Sequence, residues 1–450
     1  MCIVQQQLAE RMDFMKKNYS IEELRALDQK HFLHPTSPVK TENGPAFIFT
    51  EGKGIYLYDI TGKKVIDGMS SLWNVNIGHG RKELGEVAKE QMDKLAYSSC
   101  FATFSNEPAI LLAEKLAELA PGDLSTTFFT SGGSESNDSA YKLARHYWIL
   151  KGEASRKKII SRSRSYHGVA IGATSATGLK AFRDFTNSNA PDFLYADNFS
   201  TEALRNLIEA EGPETIAAFI TEPVQGAGGV HVAPENYFKE IREICDEYGI
   251  LMITDEVITG FGRTGKFFAM EHYNVVPDMM CFAKGVTSGY AQLGGVMITE
   301  RMHKDFSELS EGIILHGYTY SGHPMACEVG LKNIEIIEKE NLVANSAARG
   351  KELLEGLEAL QSKYPFITNT RGLGLMAGLE ITSEGTLLAP QIVLEAAKVG
   401  LICRAVVLDG QDVVVFSPPL SISQAELRDL LNLLDKAIQQ VENKLSATPL

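Results

Sequence analysis

The segment Asp278-Met-Met-Cys-Phe-Ala-Lys284-Gly285 decides the fold that we predict for this chain. Its apolar run, Met279 to Ala283, is typical of a buried strand and ends at a single cation. A lysine with an ordinary pKa of about 10.4 is a poor nucleophile near neutral pH. Burial at the end of a strand lowers that pKa and frees the amine to react with a carbonyl group. The segment therefore predicts a buried strand that carries a reactive lysine, with an ordinary surface lysine as the alternative.

Apolar runs of similar length lie upstream of this segment. They are Thr126–Thr130, Lys158–Ser161, Ile216–Thr221 and Leu251–Thr254. Helical stretches separate several of them, and one of these, Pro234–Tyr248, has proline near its start and glycine just past its end. Strands that alternate with helices favour an α/β fold whose central sheet is mostly parallel and covered by helices.

The pattern changes twice along the chain, and the changes suggest three segments. Residues 1–75 contain a capping-box helix start at Ser20–Glu23, and we expect this N-terminal segment to join a small domain. Residues 76–330 carry the predicted sheet and form the large domain. Residues 331–450 add helices and an Asp409-Gly410 hairpin turn. We therefore predict a large α/β domain and a smaller α+β domain built from both chain ends.

Composition narrows the class of protein. The 450 residues are 44% hydrophobic and 22% charged, as in ordinary globular proteins. The 57 acidic and 43 basic residues give a net charge of −14, which disfavours nucleic acid or an anionic membrane as the main partner. The sequence shows no signal-peptide pattern and no apolar window long enough for a membrane span. The cysteines lack CxxC spacing and the histidines lack HExxH spacing, so we expect reduced thiols, a cytoplasmic location and no metal site.

Polar groups follow three of the predicted strands. In open α/β sheets ligands bind at the carboxyl ends of the strands, so these groups converge if the strands are parallel. Ser131-Gly-Gly-Ser134 opens a helix, where glycines and free N–H groups suit a phosphate. Asp255 would be the counter-charge of a protonated pyridine nitrogen. With Lys284 these are the groups that an aldehyde-bearing pyridine phosphate requires, although singly the serine could be a plain helix cap and the aspartate a turn cap.

Further candidate residues follow two other strands. Tyr166-His-Gly168 comes after Lys158–Ser161, and its aromatic ring could stack on a cofactor ring or serve as a core aromatic. Glu222-Pro-Val-Gln225 ends Ile216–Thr221. It adds a polar group to the same rim of the predicted sheet.

These segments resemble the motifs of the class III pyridoxal-phosphate-dependent aminotransferases of fold type I, over roughly residues 35 to 440. The motifs are Ser131-Gly-Gly-Ser-Glu-Ser-Asn137, Tyr166-His-Gly168, Glu222-Pro-Val-Gln-Gly-Ala-Gly-Gly229, Asp255-Glu-Val-Ile-Thr-Gly-Phe-Gly-Arg-Thr-Gly265, Ala283-Lys-Gly285 and Tyr318-Thr-Tyr-Ser-Gly-His-Pro324. Within the family, Gly68-Met-Ser-Ser-Leu-Trp-Asn-Val-Asn-Ile-Gly78 is most similar to the amine:pyruvate, or omega, transaminases.

The resemblance implies a role for the residues around the cofactor ring. Lys284 would form the Schiff base with pyridoxal phosphate, and Asp255 would pair with the pyridine nitrogen. Val257 would pack on one face of the ring and Tyr166 on the other. Gln225 would lie near the ring hydroxyl.

The resemblance also implies how the phosphate is bound. Gly133 and Ser134 would bind it, and a threonine at the position of Thr319 reaches the phosphate of the neighbouring subunit in this family. The implied assembly is a homodimer with shared active sites, which could pair into a tetramer. Many members of the group have Ser-Gly-Ser where this chain has Gly132-Gly133-Ser134. This departure removes one hydroxyl and keeps the backbone cradle.

The substrate class follows from a second departure. Members that use 2-oxoglutarate with gamma- or delta-amino acids have a glutamate where this chain has Ala227, and that glutamate holds an arginine away in one half-reaction. Here the arginine would be Arg404, free to swing in for a carboxylate and out for an uncharged substrate, unless it forms a strand-end salt bridge. The resemblance thus implies amino transfer from an amine or omega-amino acid, such as beta-alanine, taurine or a diamine, to pyruvate. Trp73 and Tyr166 would shape the donor pocket.

Other functions use the same fold and lysine. They include isomerases such as aminomutases and racemases, decarboxylases, and aminotransferases that depend on 2-oxoglutarate. A non-catalytic regulator that binds the cofactor is disfavoured, since the chain has no DNA-binding appendage. A transferase must form alanine from pyruvate and an amine, whereas an isomerase turns over one amino acid without an added keto acid.

Overall fold

The computed structural model describes residues 19–39 and 44–447, without the side chain of residue 447. These residues belong to two compact units. One consists of residues 19–39, 44–52 and 57–64, and the other of residues 53–56 and 65–447. The predicted boundaries after residues 75 and 330 are not tested by this division and stay a prediction.

The helices are numbered α1 to α14 along the described chain. They are α1 (Ile21–His31), α2 (Ser70–Trp73), α3 (Lys82–Leu95), α4 (Glu107–Leu119), α5 (Gly133–Leu150), α6 (Ile171–Ala176), α7 (Lys180–Asp184), α8 (Thr201–Glu211), α9 (Tyr237–Tyr248), α10 (Glu300–Leu309), α11 (Pro324–Lys339), α12 (Leu342–Lys363), α13 (Ala389–Val399) and α14 (Gln424–Ala447). Short 3-10 turns lie at Pro213–Thr215, Ala269–His272, Lys284–Val286 and Leu408–Gly410.

The strands are numbered in the same way. They are β1 (Phe49–Lys53), β2 (Tyr56–Asp59), β3 (Lys64–Asp67), β4 (Leu124–Thr130), β5 (Lys158–Arg162), β6 (Phe193–Ala196), β7 (Ile216–Thr221), β8 (Val224–Gln225), β9 (His231–Val232), β10 (Leu251–Asp255), β11 (Met279–Phe282), β12 (Gly294–Thr299), β13 (Ile367–Gly372), β14 (Ala377–Ile381), β15 (Leu401–Ile402), β16 (Arg404–Val406) and β17 (Val413–Phe416).

The first unit begins with α1, whose start matches the sequence pattern. The Ser20 hydroxyl accepts a hydrogen bond from the backbone N–H of Glu23 at 3.1 Å. The Glu23 carboxylate accepts one from the backbone N–H of Ser20 at 2.9 Å. The predicted capping box is therefore confirmed.

A seven-stranded sheet organises the second unit, in the order β4-β12-β11-β10-β7-β5-β6. The pairs from β11 through β6 are parallel, whereas β12 is antiparallel to both β11 and β4. Strand β4 therefore runs in the same direction as β10 and β11, and the carboxyl ends of these strands lie at one edge. The predicted α/β fold with a mostly parallel sheet is confirmed.

Side chains alternate between the two faces of this sheet. On β10, Ile253 packs with residues of α5 in one buried cluster, and Met252 packs with residues of α8 and α9 in another. Strands β7, β10 and β11 are buried along their whole length. Because both of their faces are covered, their sequences are unbroken apolar runs.

The C-terminal part of the second unit contains an antiparallel sheet in the order β13-β14-β17-β16. The turn between β16 and β17 includes Asp409 and Gly410, which have φ values of +52° and +76°. Both values are left-handed, as the predicted hairpin turn requires. Strand β16 begins at Arg404, so this sheet carries one of the predicted site residues.

The lengths of the helices and the grouping of metal-binding side chains bear on membranes and metals. No helix in the described ranges is long and apolar enough to cross a membrane. Within residues 19–39 and 44–447, no three His, Cys, Asp or Glu side chains are grouped to hold a metal ion. The predicted cytoplasmic location and the expected lack of a metal stay predictions.

Candidate active site

One cavity lies at the carboxyl edge of the seven-stranded sheet, where several strand ends meet. Strand β10 ends at Asp255, Glu222 follows β7, and Lys284 follows β11 by two residues. The cavity is lined by Gly133, Ser134, Asn137, Tyr166, His167, Gly168, Glu222, Asp255, Val257, Ile258 and Lys284. The structure therefore brings together the lysine, the acid and the helix start that the sequence predicts to converge.

Lys284 follows strand β11 by two residues and begins a 3-10 turn. Its φ is +43°, a left-handed value that is uncommon for residues other than glycine. The next residue is Gly285, where a Cβ atom would lie 2.6 Å from the side-chain nitrogen of Asn76 and 3.0 Å from Cβ of Phe261. A glycine is therefore required beside the lysine, because the chain passes too close to these neighbours for any side chain.

The amine of Lys284 is suited to react with a carbonyl group. It forms no hydrogen bond or ion pair with the residues that the structure describes. Burial lowers its pKa to about 8, while Asp255 and Glu222 oppose this shift and Arg404 adds to it. A larger fraction of this amine is therefore unprotonated near neutral pH than for an exposed lysine, and that form is the nucleophile.

Asp255 is held by donors from three parts of the chain. Its Oδ2 atom accepts hydrogen bonds from Nδ2 of Asn137 and Nδ1 of His167, both at 2.8 Å. Its Oδ1 atom accepts one from the backbone N–H of Val257 at 3.0 Å. The side chain of Asp255 is only 4% exposed. A buried carboxylate with this many donors keeps one orientation and is stabilised as an anion.

The start of α5 provides an anion-binding cradle beside the lysine and the acid. Among residues 19–39 and 44–446, no side chain caps the first turn of this helix, so its backbone N–H groups are available. A Cβ atom at Gly133 would lie 2.8 Å from Cγ1 of Val257, and one at Gly168 would lie 2.3 Å from the hydroxyl oxygen of Ser134. That hydroxyl also accepts a hydrogen bond from the backbone N–H of Val169 at 3.1 Å. Both glycines therefore allow a close approach of the chain.

Tyr166 and Val257 provide the apolar surfaces of the cavity. The ring of Tyr166 packs edge-on against Phe182, with the ring centroids 5.2 Å apart. Burial raises the pKa of Tyr166, so its hydroxyl stays protonated near neutral pH. Both residues line the cavity, as the predicted ring contacts require.

Two predicted site residues lie behind the cavity wall. The side-chain oxygen of Gln225 accepts a hydrogen bond from Asn198 at 2.9 Å, and its nitrogen donates one to the carbonyl of Ser163 at 3.0 Å. Trp73 is 2% exposed and belongs to the same buried cluster as Ile258, which lines the cavity. Neither side chain lines the cavity itself, so their predicted roles stay predictions.

Arg404 is half-buried at the start of β16. Its charge is close enough to influence the pKa values of Lys284 and Tyr166. Among the described residues no carboxylate forms an ion pair with its guanidinium group. The alternative that we considered for Arg404, a salt bridge at a strand end, is therefore not formed there, and the charge is available for a ligand.

Thr319 lies outside the cavity that this chain forms. It is exposed, and its carbonyl oxygen accepts a hydrogen bond from the hydroxyl of Tyr97 at 2.7 Å. A single chain therefore does not place this threonine against the cavity lining. Its predicted contact would have to be made with another subunit.

The sequence interpretation missed the residues that orient Asp255. Asn137 and His167 stand within motifs that the interpretation quoted, yet it gave them no role. A signal was present in their residue types, since an amide and an imidazole are suitable donors to a buried carboxylate. They stand in the segments that follow β4 and β5, two strands that are consecutive in the chain. Their partner could not be chosen from the sequence, because the contact joins residues that are 118 and 88 positions apart.

The chain that forms this cavity matches a known protein family. A family profile described as "Aminotransferase class-III" matches residues 37–438. The chain is a class III aminotransferase. Enzymes of this family depend on pyridoxal phosphate, so the predicted family and enzyme class are confirmed.

Individual relatives of this aminotransferase differ in their substrates. The putrescine–pyruvate aminotransferase of Pseudomonas aeruginosa is 36% identical, over 94% of this chain and 97% of the relative. The diaminobutyrate–2-oxoglutarate transaminase of Halomonas elongata is 37% identical, over 90% of this chain and 92% of the relative. A solved transaminase from the marine bacterium Virgibacillus is 49% identical with a TM-score of 0.93, covering 94% of this chain and 99% of that one. These likenesses establish the fold and the reaction class.

Proposed function

We propose that this aminotransferase moves an amino group from an amine or omega-amino acid to pyruvate, giving alanine and an aldehyde or ketone. The observation that supports this most is the cavity that contains Lys284, Asp255 and the uncapped start of α5. The amine of Lys284 has no partner in the part of the chain that the structure describes, and burial lowers its pKa to about 8. Such an amine can both join a carbonyl carbon and carry a proton near neutral pH.

The residues present fit pyridoxal phosphate. The first turn of α5, at Gly133 and Ser134, would bind the phosphate, since its N–H groups are free and Gly133 leaves no room for a side chain. Asp255 would hold the protonated ring nitrogen. Tyr166 and Val257 would cover the two faces of the ring. Each of these five residues lines the cavity with Lys284, and this common location supports the assignment.

The cofactor, when bound, supplies an aldehyde that joins an amine and a protonated ring that withdraws electrons from the adjacent carbon. The chain supplies the proton transfers. Lys284 would take a proton from the substrate carbon as a general base and would later donate it as a general acid. Asn137 and His167 hold the carboxyl group of Asp255 in one orientation, in which it would face the ring nitrogen.

Gly133→Ala is expected to weaken cofactor binding. The new Cβ would lie 2.8 Å from Cγ1 of Val257, so Val257 would move into the space of the ring. Overpacking of this kind costs about 1–3 kcal/mol, which corresponds to a rise of roughly 10- to 100-fold in the Kd. Fluorescence titration of the cofactor-free protein with pyridoxal phosphate measures this Kd. The matched control is Gly132→Ala, whose Cβ meets no atom within 4 Å, and equal affinities of both variants would refute the prediction.

The acceptor is proposed to be pyruvate, although relatives use different keto acids. Arg404 has no carboxylate partner among the described residues, and position 227 carries alanine instead of a glutamate that could hold the arginine. The guanidinium group is therefore free to bind the carboxylate of a small keto acid and to turn away from an uncharged amine. Trp73 and Tyr166 would limit the space left for the donor.

Arg404→Ala is expected to raise the KM for pyruvate by about 10- to 100-fold, because hydrogen bonds to a charged group contribute about 1.5–3 kcal/mol. The KM for an uncharged amine donor should stay close to that of the unchanged enzyme. Steady-state kinetics with each substrate varied in turn separates the two values. A suitable control is Arg205→Ala, which removes an arginine paired with Glu247 away from the cavity. Equal increases for both substrates would contradict the proposed role.

The active form is proposed to be a homodimer with shared active sites. Thr319 is exposed in a segment that also exposes Ile313, Leu315 and Tyr320, which are 84%, 90% and 59% exposed. Apolar side chains exposed together favour contact with a second copy of the chain. In that dimer Thr319 would approach the phosphate in the neighbouring subunit.

A donor panel tests the proposed reaction. Beta-alanine, taurine, a diamine and an aryl amine are each incubated with either pyruvate or 2-oxoglutarate, and consumption of the keto acid is followed. Accumulation of alanine from pyruvate is the expected result. Consumption of 2-oxoglutarate alone would favour the second acceptor, which the Halomonas relative uses by name. Turnover of one amino acid without a keto acid would instead indicate an isomerase.

A further inference from the structure

Glu222 is a polar residue of the cavity to which the proposed reaction gives no role. It follows β7, is 3% exposed and lines the cavity with Lys284. Its Oε1 atom accepts a hydrogen bond from the backbone N–H of Tyr166 at 2.9 Å, and Oε2 accepts one from the backbone N–H of Gly226 at 3.1 Å. Two loops therefore fix this carboxyl group, and each oxygen keeps a second lone pair for a ligand.

The other parts of pyridoxal phosphate already have partners in this cavity. The start of α5 suits the phosphate, Asp255 suits the ring nitrogen, and Lys284 joins the aldehyde carbon. The ring hydroxyl is bonded to the carbon next to the one that carries the aldehyde, so its partner must lie beside the lysine. Of the lining side chains without an assigned part, Ile258 is apolar and Glu222 can hydrogen-bond.

The charges of the cavity place Glu222 in the same neighbourhood. Glu222 and Lys284 line the same cavity, and the carboxyl group of Glu222 opposes the lowering of the pKa of Lys284. Burial raises the pKa of Glu222 itself to about 7, His167 and Arg162 act to lower it, and Asp255 acts to raise it. This carboxyl group can therefore exist both with and without its proton near neutral pH.

Gln225, which the family resemblance places near the ring hydroxyl, is engaged elsewhere. Both ends of its amide have protein partners, Asn198 at 2.9 Å and the carbonyl of Ser163 at 3.0 Å. To reach the hydroxyl it would have to leave at least one of these buried partners unpaired, which is unfavourable away from water. Glu222 needs no such rearrangement, since its two hydrogen bonds leave lone pairs free.

We propose that Glu222, and not Gln225, hydrogen-bonds the ring hydroxyl of bound pyridoxal phosphate and exchanges a proton with it. This inference rests on the proposed function, because it requires the cofactor to be joined to Lys284. The proton moves between a carboxyl oxygen and the ring oxygen, and no other bond changes. In its ionised form Glu222 stabilises the protonated nitrogen of the cofactor-linked lysine, because an opposite charge favours the charged form.

The pH dependence of the visible absorption of the bound cofactor tests the proposal. This absorption reports the protonation of the cofactor-linked nitrogen of Lys284 and requires no turnover. Glu222→Gln removes the anion that stabilises the protonated form, so the midpoint should fall by at least about one pH unit. Glu222→Asp retains an acid and should shift the midpoint less. Gln225→Leu, the matched control, should leave the midpoint unchanged.

A second measurement covers the case in which Glu222→Gln does not fold or bind the cofactor. Infrared difference spectra of the unchanged enzyme, with and without the cofactor, should show a change in the carbonyl band of a protonated carboxylic acid. Labelling glutamate with carbon-13 should shift that band, and in Glu222→Asp the band should lose its sensitivity to the label. A role limited to accepting two backbone hydrogen bonds would not produce this change.

The outcomes of these experiments distinguish failure of the proposed function from failure of the Glu222 assignment. Borohydride reduction first shows whether the cofactor is attached to Lys284, and absence of a label there would refute the proposed function. If Lys284 is labelled and Glu222→Gln leaves the midpoint unchanged, only the assignment of Glu222 is refuted. A shift in Gln225→Leu alone would return the ring hydroxyl to Gln225. If Glu222→Gln gives no holoenzyme, a carbonyl band that does not change on cofactor addition refutes the assignment.

Discussion

Lys284→Ala should reduce the rate of transamination by at least about 10⁴-fold, the upper range for the loss of a general acid or base. Covalent exchange of the cofactor is lost as well. The fold should persist, because the side chain forms no hydrogen bond or ion pair within the described residues. Pyridoxal phosphate should still bind without the covalent bond, through the helix start at Gly133 and the carboxylate of Asp255. Single-turnover kinetics with an amine donor and circular dichroism of the purified variant measure the two effects separately.

The control for this substitution is Lys89→Ala. Lys89 is exposed on α3 and pairs with Asp93, a contact that contributes only about 0.2–0.5 kcal/mol to a helix. Its loss should leave turnover and stability nearly unchanged. Turnover of Lys284→Ala at a rate similar to that of the control would remove the lysine from its proposed role. Addition of a small primary amine gives a further check, since it should restore part of the rate only if the missing group is an amine.

Asp255→Asn should lower kcat by about 10²- to 10³-fold, the range found when one preorganised electrostatic contact to a reacting group is removed. The amide oxygen can still accept hydrogen bonds from Asn137 and His167. The NH₂ group would then take the place of Oδ1, where it would face the N–H of Val257 and the expected position of the ring nitrogen. A donor at that place cannot stabilise a protonated pyridine. Stopped-flow measurement of the first half-reaction gives the rate.

Two comparisons make the Asp255 prediction specific. Asp255→Glu retains the charge and should keep more activity than the amide variant, even with a displaced carboxylate. Asp305→Asn changes an aspartate that accepts a hydrogen bond from Tyr147 and does not line the cavity, so its activity should match the unchanged enzyme. A rate for Asp255→Asn within a few-fold of that of Asp305→Asn would show that the ring nitrogen does not depend on this charge.

The strand-end pattern predicted the fold and the centre of the site from the sequence. Lys284 and Asp255 could be found because each ends a run of apolar residues, and buried parallel strands leave such runs in the sequence. Strand β12 was not predicted, although it lies between β4 and β11. It begins with two glycines, and a Cβ atom at Gly295 would lie 2.5 Å from the ring of Phe282. Glycine weakens the sequence pattern of a strand. It is needed here because of a tertiary contact, which the sequence does not show.

The directions of individual side chains, even within a motif, could not be predicted in this way. In the segment Glu222-Pro-Val-Gln225, the sequence does not show which polar group faces the cavity, and the structure places Glu222 there while Gln225 bonds to Asn198. The direction of each side chain depends on the turn that follows β7 and on neighbours remote in sequence. That no carboxylate among the described residues forms an ion pair with Arg404 is likewise a property of the folded chain alone.

The three hydrogen bonds that Asp255 accepts affect the energy of each catalytic cycle. The carboxylate is already aligned by Asn137, His167 and the backbone of Val257 before any ligand arrives. Water was therefore removed from around this carboxylate when the chain folded. It does not have to be removed again each time a substrate binds. Solvent dipoles need not rearrange around it while the reaction proceeds, which keeps the barrier low for every donor that fits.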